Sequence, residues 1–184
     1  MKKVLYIILI VSLVLNIALI YKYTENAKIL NLTWSNSFRI LDSTIQASTF
    51  NLKPVDSPYE TALNDTRTGL NQLTNRLINL KTLPQGNQIV SPEIISKVSE
   101  VTNYEYKLLD KIENDLKKSN TISNTDIEEL DKLNKAWIKM SDTLQEEVKK
   151  INELSPIFRV KQWTMVLDKA TNGLNGLELL PLSE

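Results

Sequence analysis

Residues 4–21, VLYIILIVSLVLNIALIY, carry no charge and are interrupted only by Ser12 and Asn16. As a helix rising ~1.5 Å per residue, the run spans about 27 Å, close to the ~30 Å hydrocarbon core of a bilayer. Lys2 and Lys3 precede it, and Tyr21, Lys22 and Tyr23 follow as interfacial anchors. A cleaved secretion signal competes with this reading, because it too joins a basic start to an apolar stretch. Its apolar region is ~7–15 residues long and ends at a small-x-small site. This run is longer, and the flank YKYTENAK offers no such pair. The expectation is a single-pass signal-anchor over residues 1–23, touching lipid through residues 4–21. The basic pair Lys2-Lys3 then puts the amino terminus in the cytoplasm and residues 24–184 outside the cell membrane.

Beyond the span, apolar residues recur in steps of three and four, and no alternating β-branched run lies between turn residues. Residues 24–52 carry Leu30, Trp34, Phe38, Leu41, Ile45 and Leu52 with nothing to break them from the membrane run; Pro54 and Pro58 follow. Ser57-Pro58-Tyr59-Glu60 reads as a capped start for a stripe of Tyr59, Leu63, Thr66, Leu70, Leu73, Leu77 and Leu80, closed by Pro84-Gln85-Gly86. Ser91-Pro92-Glu93 opens a third helix with Ile94, Val98, Val101, Tyr104, Leu108, Ile112 and Leu116, ended by Ser119-Asn120. A fourth begins at Thr125 with Glu128 as its capping-box partner and presents Ile127, Leu130, Trp137, Leu144, Val148 and Ile151, with Asn134 and Ser141 as polar seats. Ser155-Pro156 caps a shorter fifth with Val160, Trp163, Leu167 and Ala170, ending at Asn172-Gly173. Matched lengths and short loops predict an all-α chain. The transmembrane helix leads into an antiparallel up-down four-helix bundle with coiled-coil-like seams over 24–172, to which the short helix is added, before an apolar tail at 173–184.

The residue inventory removes much chemistry. With no His and no Cys, the chain has no imidazole base, thiol nucleophile, disulfide or Cys/His zinc site. Four Gly, at 69, 86, 173 and 176, are too scattered to cradle a phosphate. Basic and acidic residues balance at 22 each, so no global field recruits nucleic acid. Acid–base pairs four residues apart (Glu93→Lys97, Glu113→Lys117, Glu128→Lys132, Asp131→Lys135, Glu146→Lys150) read as a solvated helix face. No catalytic, cofactor or metal residue is expected, and the protein reads as non-enzymatic.

Two sets of residues stand out. The fifth helix docks its apolar side on the bundle, and its edge, with Trp163, Leu177, Leu179 and Leu180, is the expected partner surface. Trp34, Tyr104, Glu105 and Trp137 form the alternative, a ligand pocket in the bundle core. At the last set the stripe can step from Val101 to either neighbour; a tyrosine is the easier group to bury, so Tyr104 is expected inward and Glu105 in water. In layout the chain resembles the four-helix-bundle ectodomains of bacterial chemoreceptors, in which a membrane helix runs on into a periplasmic bundle; their second membrane helix and signalling domain have no counterpart in the sequence. Richness in Asn and Thr with few Ala is common in AT-rich bacterial genomes. The reading is an interaction or structural module of a bacterial cell envelope, partnered by another envelope protein, with self-association left open. The alternative is a ligand-binding sensor or accessory ectodomain.

Overall fold

The computed structural model describes residues 2–49, 59–154, 160–179 and 181–182, and among them every regular element is helical. The helices are α1 (Lys2–Ser48), α2 (Tyr59–Leu80), α3 (Gly86–Ile89), α4 (Pro92–Ser119), α5 (Asn124–Leu154) and α6 (Val160–Thr171), the last running into a 3-10 turn at Asn172–Leu174. The expected caps at Ser57 and Ser155, the Pro54 and Pro58 stops, and Leu52 and Leu180 lie outside the described residues.

α1 is one uninterrupted helix of 47 residues that contains both the apolar run and the first apolar stripe of the bundle. Nothing in Lys2–Ser48 is a helix breaker, so propagation is the default. Its two halves differ in surroundings. Every large apolar side chain from Tyr6 to Ile20 leaves more than half its surface uncovered, whereas Trp34, Phe38, Leu41 and Ile45 are fully buried. α1 packs on α2 and α5, α2 on α4, and α4 on α5; α6 packs on α5, α3 and α4. The core is continuous through all of them.

The stripes are largely as the periodicity predicts. Leu63, Thr66, Leu70, Leu73, Leu77 and Leu80 of α2 are buried, though Tyr59 at its start is exposed. In α5 a second row, Leu133, Ala136 and Met140, joins Leu130, Trp137, Ser141, Leu144 and Ile151. The Ser91 hydroxyl accepts from the Ile94 N–H above Pro92, as a capped start requires. The capping box of α5, however, is Ser123 with Asp126, not Thr125 with Glu128. The Asp126 N–H donates to Ser123 Oγ, whose hydroxyl donates to Asp126 Oδ2, and the Ser123 carbonyl accepts the first helical bond from Ile127. Both spacings satisfy the motif, and the burial of Asp126 chooses between them.

The segment after α2 also departs from expectation. Pro84-Gln85-Gly86 does not simply close a long helix. Gln85 adopts φ 65° as the N-cap of the short α3, which inserts buried Ile89 into the core. Of the five spaced ion pairs, Lys117–Glu113, Lys135–Asp131 and Lys150–Glu146 form. Lys132 instead meets Glu129, and Lys97 donates to the Asn175 side chain.

Gly69 marks the closest approach in the core. A Cβ placed there would lie 2.6 Å from the Ala47 carbonyl oxygen and 2.8 Å from the Ser48 nitrogen. Both are backbone atoms and cannot rotate away. Alanine is the better helix former by about 1 kcal/mol, but forced overpacking costs about 1–3 kcal/mol. Gly69→Ala should therefore lower the unfolding free energy in a urea titration; an increase would show that α1 and α2 separate freely there.

Candidate functional site

The candidate residues fall into three places. Lys2 and Lys3 occupy the first turn of α1, and Tyr21, Lys22 and Tyr23 follow the apolar run as exposed side chains. One helix near the amino terminus is thus long and apolar enough to cross a membrane, and none of its apolar window is covered by the rest of the protein.

The four aromatic and acidic core residues make separate sets of contacts. Trp34 stacks obliquely on Phe38, with ring centroids 5.5 Å apart; Phe38 meets Trp163 at 5.4 Å, and the Trp34 indole N–H donates to the Pro84 carbonyl at 3.1 Å. Glu105 and Trp137 are brought together elsewhere, across the α4–α5 seam, where the Trp137 Nε1–H donates to Glu105 Oε2 at 2.6 Å. Tyr104 turns to the edge of that seam and donates to Glu129 Oε1 at 3.2 Å.

The expectation for this turn of α4 is reversed. Glu105 is fully buried, and Tyr104 is half-buried. The apolar arc of α4 includes Thr102 and Leu109 beside Val98, Val101, Leu108 and Ile112. At ~100° per residue, Glu105 falls at the middle of that arc and Tyr104 near its margin. Glu105 Oε1 has no hydrogen-bond partner. Burial pushes its carboxyl up to about 8, the Trp137 N–H pulling the other way. A carboxylic acid that keeps its proton at neutral pH serves as a neutral acceptor for the indole.

A groove of about 660 Å³ that the stripes did not reveal runs between α1 and α5, floored by Phe38, Leu144 and Val148. Asp42 lies buried at its side, and its carboxylate accepts from Ser141, Gln46 and Gln145. Ser141 and Gln145 reach it from α5 and Gln46 from its own helix, so Asp42 ties α1 to α5. Among the described residues, no three carboxylates converge in a way that could hold a metal ion.

The residues expected to form a partner surface are not placed alike. Trp163 is fully buried, its N–H donating to Asn31 Oδ1 at 3.1 Å, and so does not belong to any free surface. Leu174 is buried, and Leu177 and Leu179 are half-buried against the core. The tail folds back onto the helices. No protein-family profile, curated protein or solved structure matches the chain.

Glu105 sets a pH dependence of stability. The folded chain retains a proton that the unfolded chain releases near pH 4.5. Stability is therefore full below that pH, falls as pH rises toward about 8, and then levels, each pH unit between costing about 1.4 kcal/mol. Thermal unfolding of the full chain in detergent, followed by circular dichroism, should show a melting temperature declining from pH 5 to 8.5. Glu105→Gln, which retains an oxygen acceptor for Trp137, should flatten that decline. Equal declines in both proteins would mean that Glu105 titrates near its ordinary value.

Proposed function

We propose that the chain is a single-pass, membrane-anchored protein whose helical bundle stands outside the cell membrane as a non-enzymatic interaction or structural module of a bacterial envelope. The observation that carries this reading is the division of α1. Residues 6–21 present only uncovered apolar side chains apart from Ser12 and Asn16, and the second half of the helix is a core element of the bundle. A contiguous exposed apolar surface of this size needs lipid or protein around it. The helix continues unbroken through residues 22–30, where a processed signal would need an accessible site with small residues. Lys2 and Lys3 on one side support a cytoplasmic amino terminus.

The antiparallel up-down arrangement of α1, α2, α4 and α5 belongs to the same reading. It is supported by contacts whose residue numbers run in opposite senses: Ser35 with Asn152 and Asp42 with Ser141, then Arg67 with Asp110 and Glu113 and Thr74 with Thr102. The partner is another envelope protein. Leu177 and Leu179 keep part of the expected contact edge, without Trp163.

Carbonate-washed membranes should retain the full-length chain, and protease added to spheroplasts should digest residues beyond about 24. A soluble product beginning near Ala27 or Lys28, or protection of the bundle until the membrane is opened, would overturn the reading.

A further inference from the structure

Ser12 and Asn16 are the polar exceptions in the apolar run, and neither has a hydrogen-bond partner among the described residues. This is not the habit of α1. The hydroxyls of Thr24, Thr33, Ser37, Ser43, Thr44 and Ser48 each donate to the carbonyl four residues earlier. Ser12 does not, and the Asn16 amide has two donors and an acceptor to satisfy. In hydrocarbon there is no water to take them, so such groups are satisfied by a neighbouring helix.

The face on which they lie is fixed by the bundle. Eighteen residues make about five full turns at ~3.6 residues per turn. Asn16 therefore stands directly beneath Trp34, Ser12 beneath Leu30 and Leu9 beneath Ala27, along one continuous helix. Trp34 and Ala27 are buried, so the polar face points to the side of α1 over which the bundle projects. A helix docked on Ser12 and Asn16 lies under the bundle.

That geometry decides against a second copy. Two chains paired through this face by a two-fold axis would each direct a bundle onto the other's α1. At the ~20° crossing usual for membrane helices, the axes would diverge by only about 13 Å at the level of Leu41, too little to seat two bundles. The space beneath is also shallow: from Tyr21 to buried Ala27, α1 rises only about 9 Å.

We propose that the Ser12–Asn16 face of α1 packs in the bilayer against a transmembrane helix of a different protein. That helix offers a hydrogen-bonding side chain at the depth of Asn16 and ends or turns aside within ~9 Å of leaving the membrane. The inference rests on the anchored reading above and names the kind of partner that reading requires.

The test uses the full-length chain in its native membrane with a photo-crosslinking phenylalanine analogue at Leu9 or Leu19, on the polar face, and at Val14 or Ala18, opposite. Positions 9 and 19 should give an adduct that 14 and 18 do not. Peptide mapping should place it in a membrane-spanning segment containing Asn, Gln, Ser, Thr or a charged residue. Asn16→Leu should weaken the adduct roughly ten-fold while the chain stays in carbonate-washed membranes. The sequence has no Cys, so Leu19→Cys under oxidant reads self-pairing cleanly. A disulfide-linked dimer would replace the foreign helix by a second copy and overturn the proposal. Labelling of lipid alone, equal on both faces, with the chain retained in the membrane, would overturn it and leave the anchor standing. Loss of the chain to the soluble fraction would overturn the anchored reading and this inference with it.

Discussion

The continuity of α1 is the constraint on which the rest of the structure depends. One helix supplies both the uncovered apolar surface and a full seam of the core, with no turn between them. An α-helix transmits rotation rigidly, so the face that Trp34, Leu41 and Ile45 turn into the bundle fixes which face the apolar half turns in the same direction. A flexible linker at residues 22–30 would have left the two halves independent. Instead, the position of Leu41 in the core specifies the azimuth of Tyr23, and that of Trp34 specifies Asn16. On the anchored reading, the bundle stands at a defined height and orientation above the bilayer.

The seams of the bundle are not chemically alike. Where α1 meets α2, contact is apolar and close, with Gly69 against the Ala47–Ser48 backbone. Where α4 meets α5, polar links recur along the seam: Lys111 with Asp126, Tyr104 with Glu129, and Glu105 with Trp137. Asp42 with Ser141 and Gln145 plays a similar part between α1 and α5. Each link admits one axial position of its helix pair. An apolar heptad seam tolerates slippage that a buried indole–carboxyl bond does not, and register setting is the best-attested use of such groups. Glu105 meets this need at some loss of stability as its proton is drawn off.

Much of this was legible in the sequence, and what was not has identifiable causes. Stripes such as Leu63 to Leu80 and the Ser91-Pro92 start depend on neighbours three or four residues away, so the chain itself declares them. Gly69 depends on Ala47, and Trp137 receives its partner from α4; such contacts leave no local period to read. At Glu105 the signal was present but ambiguous. The step of four from Val101 to Glu105 competes with the step of three to Tyr104, and only Thr102 and Leu109, taken with the rest of the arc, decide between them. The same holds at α5, where two overlapping capping boxes share Thr125 and Asp126 and burial of Asp126 selects one. The four candidate pocket residues are divided for a simpler reason. Trp34 and Glu105 share a stripe pattern but belong to different levels of the bundle, and periodicity carries no axial coordinate.

The role of α6 follows from an inequality of lengths. The sequence suggested four helices matched closely enough to close a core alone, which would leave the fifth as an addition. In the structure α2 has 22 residues, against 28 in α4 and 31 in α5, and it stops at Leu80. The aromatic face of α1 around Trp34 and Phe38 therefore extends beyond it. α3 and α6 occupy that space: Ile89 is buried, Trp163 meets Phe38, Thr164 donates to the Gln88 carbonyl, and Trp34 reaches the Pro84 carbonyl. Trp163 is thus a core residue because α2 is short, and the helix that looked spare closes the end of the bundle nearest the apolar half of α1. The same closure leaves Trp163 without a free face, so the large apolar surface that remains uncovered is the one along residues 6–21 of α1.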